Sequence, residues 1–202
     1  YSQLSSAHQS WGARLGGGRP PPRPPRTRPS RIFFWGDPPR HTAQRRTIAP
    51  SFGPSEVTAM AAEVRARTAA LLDSLPAGQA FDWVERVSIE LTTGMLAKLF
   101  DFPWEQRSNL ARWSDAGGDI DGMVSDGGWD RFNAEMDQMA AAFGELWHQR
   151  MANPGKDLIS VMLQSESMRE MDPVEFIGNL ILLIVGGNDT TRNSMSAYAY
   201  GL

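Results

Sequence analysis

The chain has 202 residues, with 20 lysines and arginines against 23 acids, a formal net charge of -3 and no cysteine. That length suffices for one domain, or a large piece of one, with a real core. The missing cysteines exclude disulfides and thiolate ligands and suit a cytoplasmic protein, and the acidic balance offers nothing to nucleic acid. The charge is unevenly placed: residues 1–40 carry seven Arg against Asp37, or +6, and the remainder 13 basic against 22 acidic residues, or -9. Residues 1–36 are rich in Pro, Arg and Gly and are expected to be disordered. They read as a linker, as an arm for a polyproline-reading domain or an acidic surface, or as a cloning or reading-frame artefact. No apolar core of a signal peptide is present there.

From Asp37 the pattern is helical. Asp37-Pro38-Pro39 stiffens an extended approach to a short helix that ends near Ala49, before Pro50. On it His41 and Arg45 lie four apart, a spacing that turns both donors to one face, where they either grip a shared anion or stand solvated. Pro54 to Leu75 carries Val57, Met60, Val64, Leu71 and Leu72 at helical spacing, and Phe81 to Phe102, capped by Asp82, carries Val84, Val87, Leu91, Met95, Leu96 and Leu99; both predict packing stripes. A shorter helix is expected from Trp104 to Asp115, then a glycine- and aspartate-rich loop from Ala116 to Gly128, a helix from Trp129 to about Met151, and one from Asp157 to about Ser165. Asp115, Asp119, Asp121 and Asp126 lack the spacing of a calcium loop. His8, His41 and His148 are too scattered for a metal site, and neither a P-loop nor a strand-linked GxGxxG occurs.

The most informative stretch is Asp172 to Leu202. Asp172 is placed to cap, Pro173 suits the first helical turn, and Glu175 stands where a capping-box partner belongs. The run Leu180-Ile-Leu-Leu-Ile-Val185 leaves no polar face and predicts a helix buried all round, too short for a membrane span. Gly186-Gly187-Asn188-Asp189-Thr190-Thr191 then breaks the pattern. Each glycine costs a helix about 1 kcal/mol against alanine. Either the helix ends there with a polar cap, or it continues and the glycines open a groove in which Asp189 and Thr190 handle protons.

Leu180 to Ser194 resembles the long distal helix of a cytochrome P-450, with its small-Gly-x-acid-Thr-Thr motif filled by Gly186, Gly187, Asp189, Thr190 and Thr191. Gly178-Asn179, Arg192-Asn193-Ser194, and the Asp-Trp-Val, Ser-Ile-Glu-Leu-Thr-Thr and Phe-Asp-Phe-Pro-Trp pieces of Phe81 to Trp104 are similar to the bacterial medium-chain alkane and fatty-acid terminal hydroxylases of that family. The likeness runs from about Asp37 to Leu202. It implies a mainly α fold, the N-terminal and central helical part of the cytochrome P-450 fold from its C helix through its distal I helix, incomplete as it stands.

The resemblance implies haem b as cofactor, dioxygen and an apolar small molecule as substrates, and ferredoxin with ferredoxin reductase as electron donors. By it, His41 and Arg45 clamp the haem propionates. Gly186 and Gly187 flank the haem, Gly187 leaving room for dioxygen; Thr190 bonds to that dioxygen and Asp189 relays protons. Leu182 and Val185 press on the substrate, Arg46 looks toward the electron donor, and the loop before Trp129 forms a lid. The axial cysteine is absent, so the chain holds no metal ligand and is expected to be inactive alone. Glu166 and Arg169 spell the family's Glu-x-x-Arg only by chance, since they precede the distal helix. The alternative is a non-catalytic, all-helical module that binds a small apolar ligand or a partner helix.

Overall fold

A computed structural model describes residues 37–201; the expectations for residues 1–36, and for His8, lie outside the described residues. Every regular element among those residues is helical. Helix α1 spans Arg40–Ile48, a 3-10 turn follows over Ala49–Phe52, and α2 spans Pro54–Asp73. A π-helical turn over Val84–Ile89 leads into α3, Glu90–Phe100, and a 3-10 turn at Trp104–Gln106 precedes α4, Ser108–Gly118. Then come α5, Ile120–Val124, α6, Gly128–Ala152, α7, Leu158–Gln164, and α8, Pro173–Tyr200.

The starts of these helices follow their side chains. Asp157 Oδ1 accepts from the Ser160 amide at 3.1 Å, Asp82 Oδ1 from Glu85 at 3.0 Å and Asp172 Oδ1 from Glu175 at 2.9 Å, each satisfying an amide that the helix itself leaves unpaired. Several expected boundaries move: the helix expected to reach Phe102 ends at Phe100, and the one expected from Trp104 starts at Ser108. Helix α4 runs on to Gly118, and the expected open loop contains α5, capped by Asp119, whose Oδ1 takes the Gly122 amide at 2.8 Å. Gly128 opens α6 so close to α5 that a Cβ there would lie 2.0 Å from the Gly122 carbonyl oxygen. Only glycine lets the two backbones approach this way.

The core lies where α3, α4, α6, α7 and α8 meet. Phe100 and Phe143 pack edge to face with centroids 5.2 Å apart, and Phe102 meets Trp113 edge to face at 5.9 Å, geometries the ring quadrupoles favour. Around them Leu110, Met139, Leu158, Ile159, Met162, Leu180 and Ile184 are buried. Helix α8 crosses this core along α4 and against the Val84–Phe100 segment.

Two stripes behave differently from their sequence expectation. No residue of α2 is buried, and Val57 and Leu72 are 55% and 43% exposed. Met60, Val64 and Leu71 are half-buried, Met60 and Val64 facing Gly94 and Met95 of α3, and charged contacts add to this attachment. Arg67 and Arg107 lie over the Trp104 ring at 4.2 and 4.3 Å, and Glu63 bridges Arg67 at 2.8 Å and Lys98 of α3 at 3.0 Å. In α8, Leu180 and Ile184 are fully buried, whereas Ile181, Leu182, Leu183 and Val185 are half-buried, so the apolar run is covered on one side rather than all round. No helix among the described residues is long and apolar enough to cross a membrane.

Candidate haem-facing site on the distal helix

Helix α8 does not stop at its glycines. It continues to Tyr200, which rules out the polar-cap alternative. The Thr190 hydroxyl donates to the Gly186 carbonyl at 2.9 Å, the back-bond to the preceding turn that threonine makes inside a helix. Because residues four apart share a face, Leu182, Gly186 and Thr190 form one stripe. That stripe is open: a Cβ on Gly186 would meet nothing within 4 Å, Thr190 is exposed, and Leu182 is half-buried. Its neighbours Ile181 and Leu183 pack against the buried cluster instead.

The second glycine has different surroundings. A Cβ on Gly187 would lie 2.8 Å from Leu96 Cδ2, so its missing side chain makes room for that leucine of α3, whereas a Cβ on Gly186 would stand in open space. Val185 also faces helix packing in part, since its Cγ2 lies 3.1 Å from where a Cβ on Gly117 of α4 would stand. Next to Gly187, Asn188 is fully buried; its Oδ1 accepts the Thr92 hydroxyl at 2.6 Å while its Nδ2 has no partner among the described residues.

Asp189 is held rather than loose. Its Oδ1 accepts from Arg192 Nη2 at 3.0 Å and from Asn193 Nδ2 at 3.2 Å, and the other arm of Arg192 reaches Asp115 of α4 at 2.8 Å. Burial works against the charge on Arg192, but Asp115 and then Asp189 outweigh it and raise the guanidinium above its ordinary value. One cation thus joins the carboxylate beside Thr190 to the helix that leads into α5. The Asp189–Arg192 spacing of three was legible in the sequence; Asp115, 77 positions away, was not.

The other expected site residues stand on α1. His41 is half-buried and Arg45 is exposed, and Arg45 has no ion pair among the described residues. Helix α1 meets α8 near its N-terminus through Glu175, eleven residues before Gly186, or ~16 Å along the axis at the α-helical rise. The structure gathers Leu182, Gly186, Asp189 and Thr190 within three turns of one helix, while His41 and Arg45 stand on α1. Glu175 itself departs from the capping-box expectation: its carboxylate turns to Arg40 and Gln44 of α1 instead of back to Asp172.

These residues fit a haem in donor chemistry. An exposed, unpaired arginine beside a histidine suits an anionic propionate, and a helix face bare at Gly186 with a hydroxyl at Thr190 suits the flat macrocycle and a small polar ligand. No group of three or more His, Cys, Asp or Glu among the described residues is placed to hold a metal ion, and the sequence has no cysteine.

No family model matches the chain. It is 34% identical over 175 residues to linalool 8-monooxygenase of Pseudomonas putida, covering 81% of this chain and 41% of that protein. It is 32% identical to steroid C26-monooxygenase of Mycolicibacterium smegmatis, covering 79% and 37%. Among solved structures, cytochrome P450-153 from Novosphingobium aromaticivorans shares 48% identity with a TM-score of 0.74 over 91% of this chain and 46% of that one. CYP153D17 from Sphingomonas sp. PAMC 26605 shares 50% at a TM-score of 0.71, over 90% and 46%. The chain thus spans somewhat under half the length of these relatives. With close sequence identity and the same helical frame coinciding over nine-tenths of its length, the chain belongs to the cytochrome P450 family.

Proposed function

We propose that the chain is the distal-side part of a haem monooxygenase that hydroxylates the terminal carbon of medium-chain alkanes or fatty acids, using dioxygen and electrons from a ferredoxin and its reductase. Haem b is the cofactor of the full-length family members, and when bound it supplies dioxygen activation and insertion of one oxygen atom into a carbon–hydrogen bond. This chain, having no cysteine, does not itself provide the thiolate.

The observation that carries the reading is the stripe of Leu182, Gly186 and Thr190, bare at its centre, with the Asp189 carboxylate beside it. Thr190 keeps its hydroxyl proton on the Gly186 carbonyl. Its oxygen lone pairs remain available to accept a further hydrogen bond. Asp189 holds negative charge against Arg192 and Asn193 and can pass protons from solvent to that hydroxyl when it turns. Leu182, one turn earlier, offers an apolar surface to a hydrocarbon chain. At the other end of the site, His41 and Arg45 hold the propionates, and the exposed Arg46 suits an acidic electron donor.

The test is the full-length protein. It should give the reduced, CO-bound Soret band of a thiolate-ligated haem and form terminal alcohols from medium-chain alkanes or fatty acids. Thr190→Ala should retain that band while consuming reductant with little alcohol formed. An unchanged ratio of alcohol to reductant in Thr190→Ala would refute the assignment of the stripe.

A further inference from the structure

The proposed mechanism leaves unused the most deeply buried carboxylate among the described residues. Glu175, near the start of α8, is 1% exposed. Its Oε1 accepts from Arg40 Nη2 at 2.6 Å and from Gln44 Nε2 at 2.7 Å, and its Oε2 is also bonded to Arg40. A carboxylate this far from water demands charged or hydrogen-bonding partners, and α1 supplies both across 131 to 135 positions of sequence. Since Asp172 caps α8, the cap does not require the Glu175 side chain.

The geometry of the grip is informative. Arg40 and Gln44 are one helical turn apart, and both bond to the same carboxylate, which fixes the roll of α1 about its axis as well as its position along it. Gln44 is itself 1% exposed, and Ile48, four residues on, is buried in the core, so Arg40, Gln44 and Ile48 form the docked stripe. His41 and Arg45 occupy the adjacent stripe, about 100° round the helix. Any roll of α1 that loosens the docked stripe carries His41 and Arg45 with it.

We propose that Glu175 is a positioning residue: through Arg40 and Gln44 it sets the angle at which α1 presents His41 and Arg45, relative to the Gly186–Thr190 stripe on its own helix. One rigid helix then carries both the bare stripe and the anchor of the propionate clamp. Thr47, which contacts Ser165 at 2.9 Å and Ser167 at 3.1 Å, ties the far end of α1 to the segment before α8 and, with the buried Ile48, shares in holding that roll.

This rests on the reading of His41 and Arg45 as a propionate clamp, and the test separates the two. In the haem-loaded full-length protein, the rate of haem loss to excess apomyoglobin is followed by absorbance for Glu175→Ala, Glu175→Gln, Arg45→Ala and the doubles. Haem loss should quicken about tenfold in Glu175→Ala, the size seen when outer-shell partners of a bound group are removed, and less in Glu175→Gln, which keeps an acceptor for Gln44. Once Arg45 is gone, Glu175 should matter less to haem loss, since only His41 is left for it to place, although its effect on thermal stability persists. Equal acceleration by Glu175 substitution with and without Arg45 would reduce the residue to a structural role and overturn the inference, as would unchanged haem loss in the single variants. If Glu175→Ala does not fold, Glu175→Gln carries the same comparison. If Arg45→Ala alone leaves haem loss unchanged, the clamp reading itself fails, and the inference with it.

Discussion

Two adjacent glycines with opposite surroundings give a sharp test of how α8 is built. Gly186 has no atom within 4 Å of a Cβ position, whereas at Gly187 that position lies 2.8 Å from Leu96 Cδ2 and 3.7 Å from its Cγ. Alanine for glycine within a helix is favourable by about 1 kcal/mol wherever space allows. Gly186→Ala should therefore stabilise the folded chain by up to about 1 kcal/mol. Gly187→Ala gains the same helix preference but forces a side chain that is only 4% exposed out of its place. Overpacking of this kind costs about 1–3 kcal/mol, partly relieved if Leu96 finds another rotamer. The net effect is a loss of ~0–2 kcal/mol, so the two variants should differ by ~1–3 kcal/mol in opposite directions. Urea denaturation followed by circular dichroism on otherwise identical proteins would measure it. Function should invert the order: Gly186→Ala, the more stable protein, should bind haem and substrate less well, because its methyl stands on the bare stripe. Equal destabilisation by both substitutions would show that Gly186 is packed, and the open-face argument would fall.

Further expectations concern the contacts around that stripe. Arg192→Ala removes the cation between Asp115 and Asp189, so the full-length enzyme should form less product per reductant consumed, and Arg192→Lys, which cannot span both carboxylates with one planar fork, should restore only part of it. Thr92→Val deprives the fully buried Asn188 of its one partner and should cost about 1–3 kcal/mol in denaturant unfolding; a neutral result would mean that water already serves that amide. Gly128→Ala places a methyl 2.0 Å from the Gly122 carbonyl and should displace α5, seen as faster amide exchange across Ile120–Val124. The Glu63 carboxyl is lowered from its ordinary value of 4.5 by hydrogen bonds from Arg67 and then Lys98. A carboxyl lowered on folding contributes stability above its unfolded value and loses it as pH falls through the folded one. The stability gap between the wild type and Glu63→Gln should thus be constant near neutrality and close below about pH 4.5.

Much of the fold was legible because helix signals are local. Caps at Asp82 and Asp172 sit where the sequence placed them, Asp157 opens its helix as expected, and the break near Pro50 follows from short-range chemistry. What depends on neighbours was not legible. Periodicity marks Val57 and Leu72 as apolar but cannot say which surface covers them, and α2 has no fully buried residue, only Met60, Val64 and Leu71 of its stripe being half-buried. The same limit separates Gly186 from Gly187: the pair announces an anomaly in a helix, yet only the position of Leu96 tells which glycine is open and which admits a neighbouring helix. Glu175 shows it most plainly. Its spacing from Asp172 suggested a local capping role, and a pairing with Arg40 across the chain took precedence because a buried carboxylate favours a cation over an amide.

The way α2 is attached has a consequence of its own. Greasy contacts tighten in concentrated kosmotropic salt, whereas exposed ionic and cation–π links weaken as mobile ions crowd round them. A helix moored through Glu63, Arg67 and the Trp104 indole therefore answers to ionic strength differently from the aromatic centre at Phe100, Phe102, Trp113 and Phe143. Raising sodium chloride should loosen the Pro54–Asp73 segment, seen as faster amide exchange there, while the aromatic centre keeps its protection and the half-buried Met60, Val64 and Leu71 keep the helix from detaching.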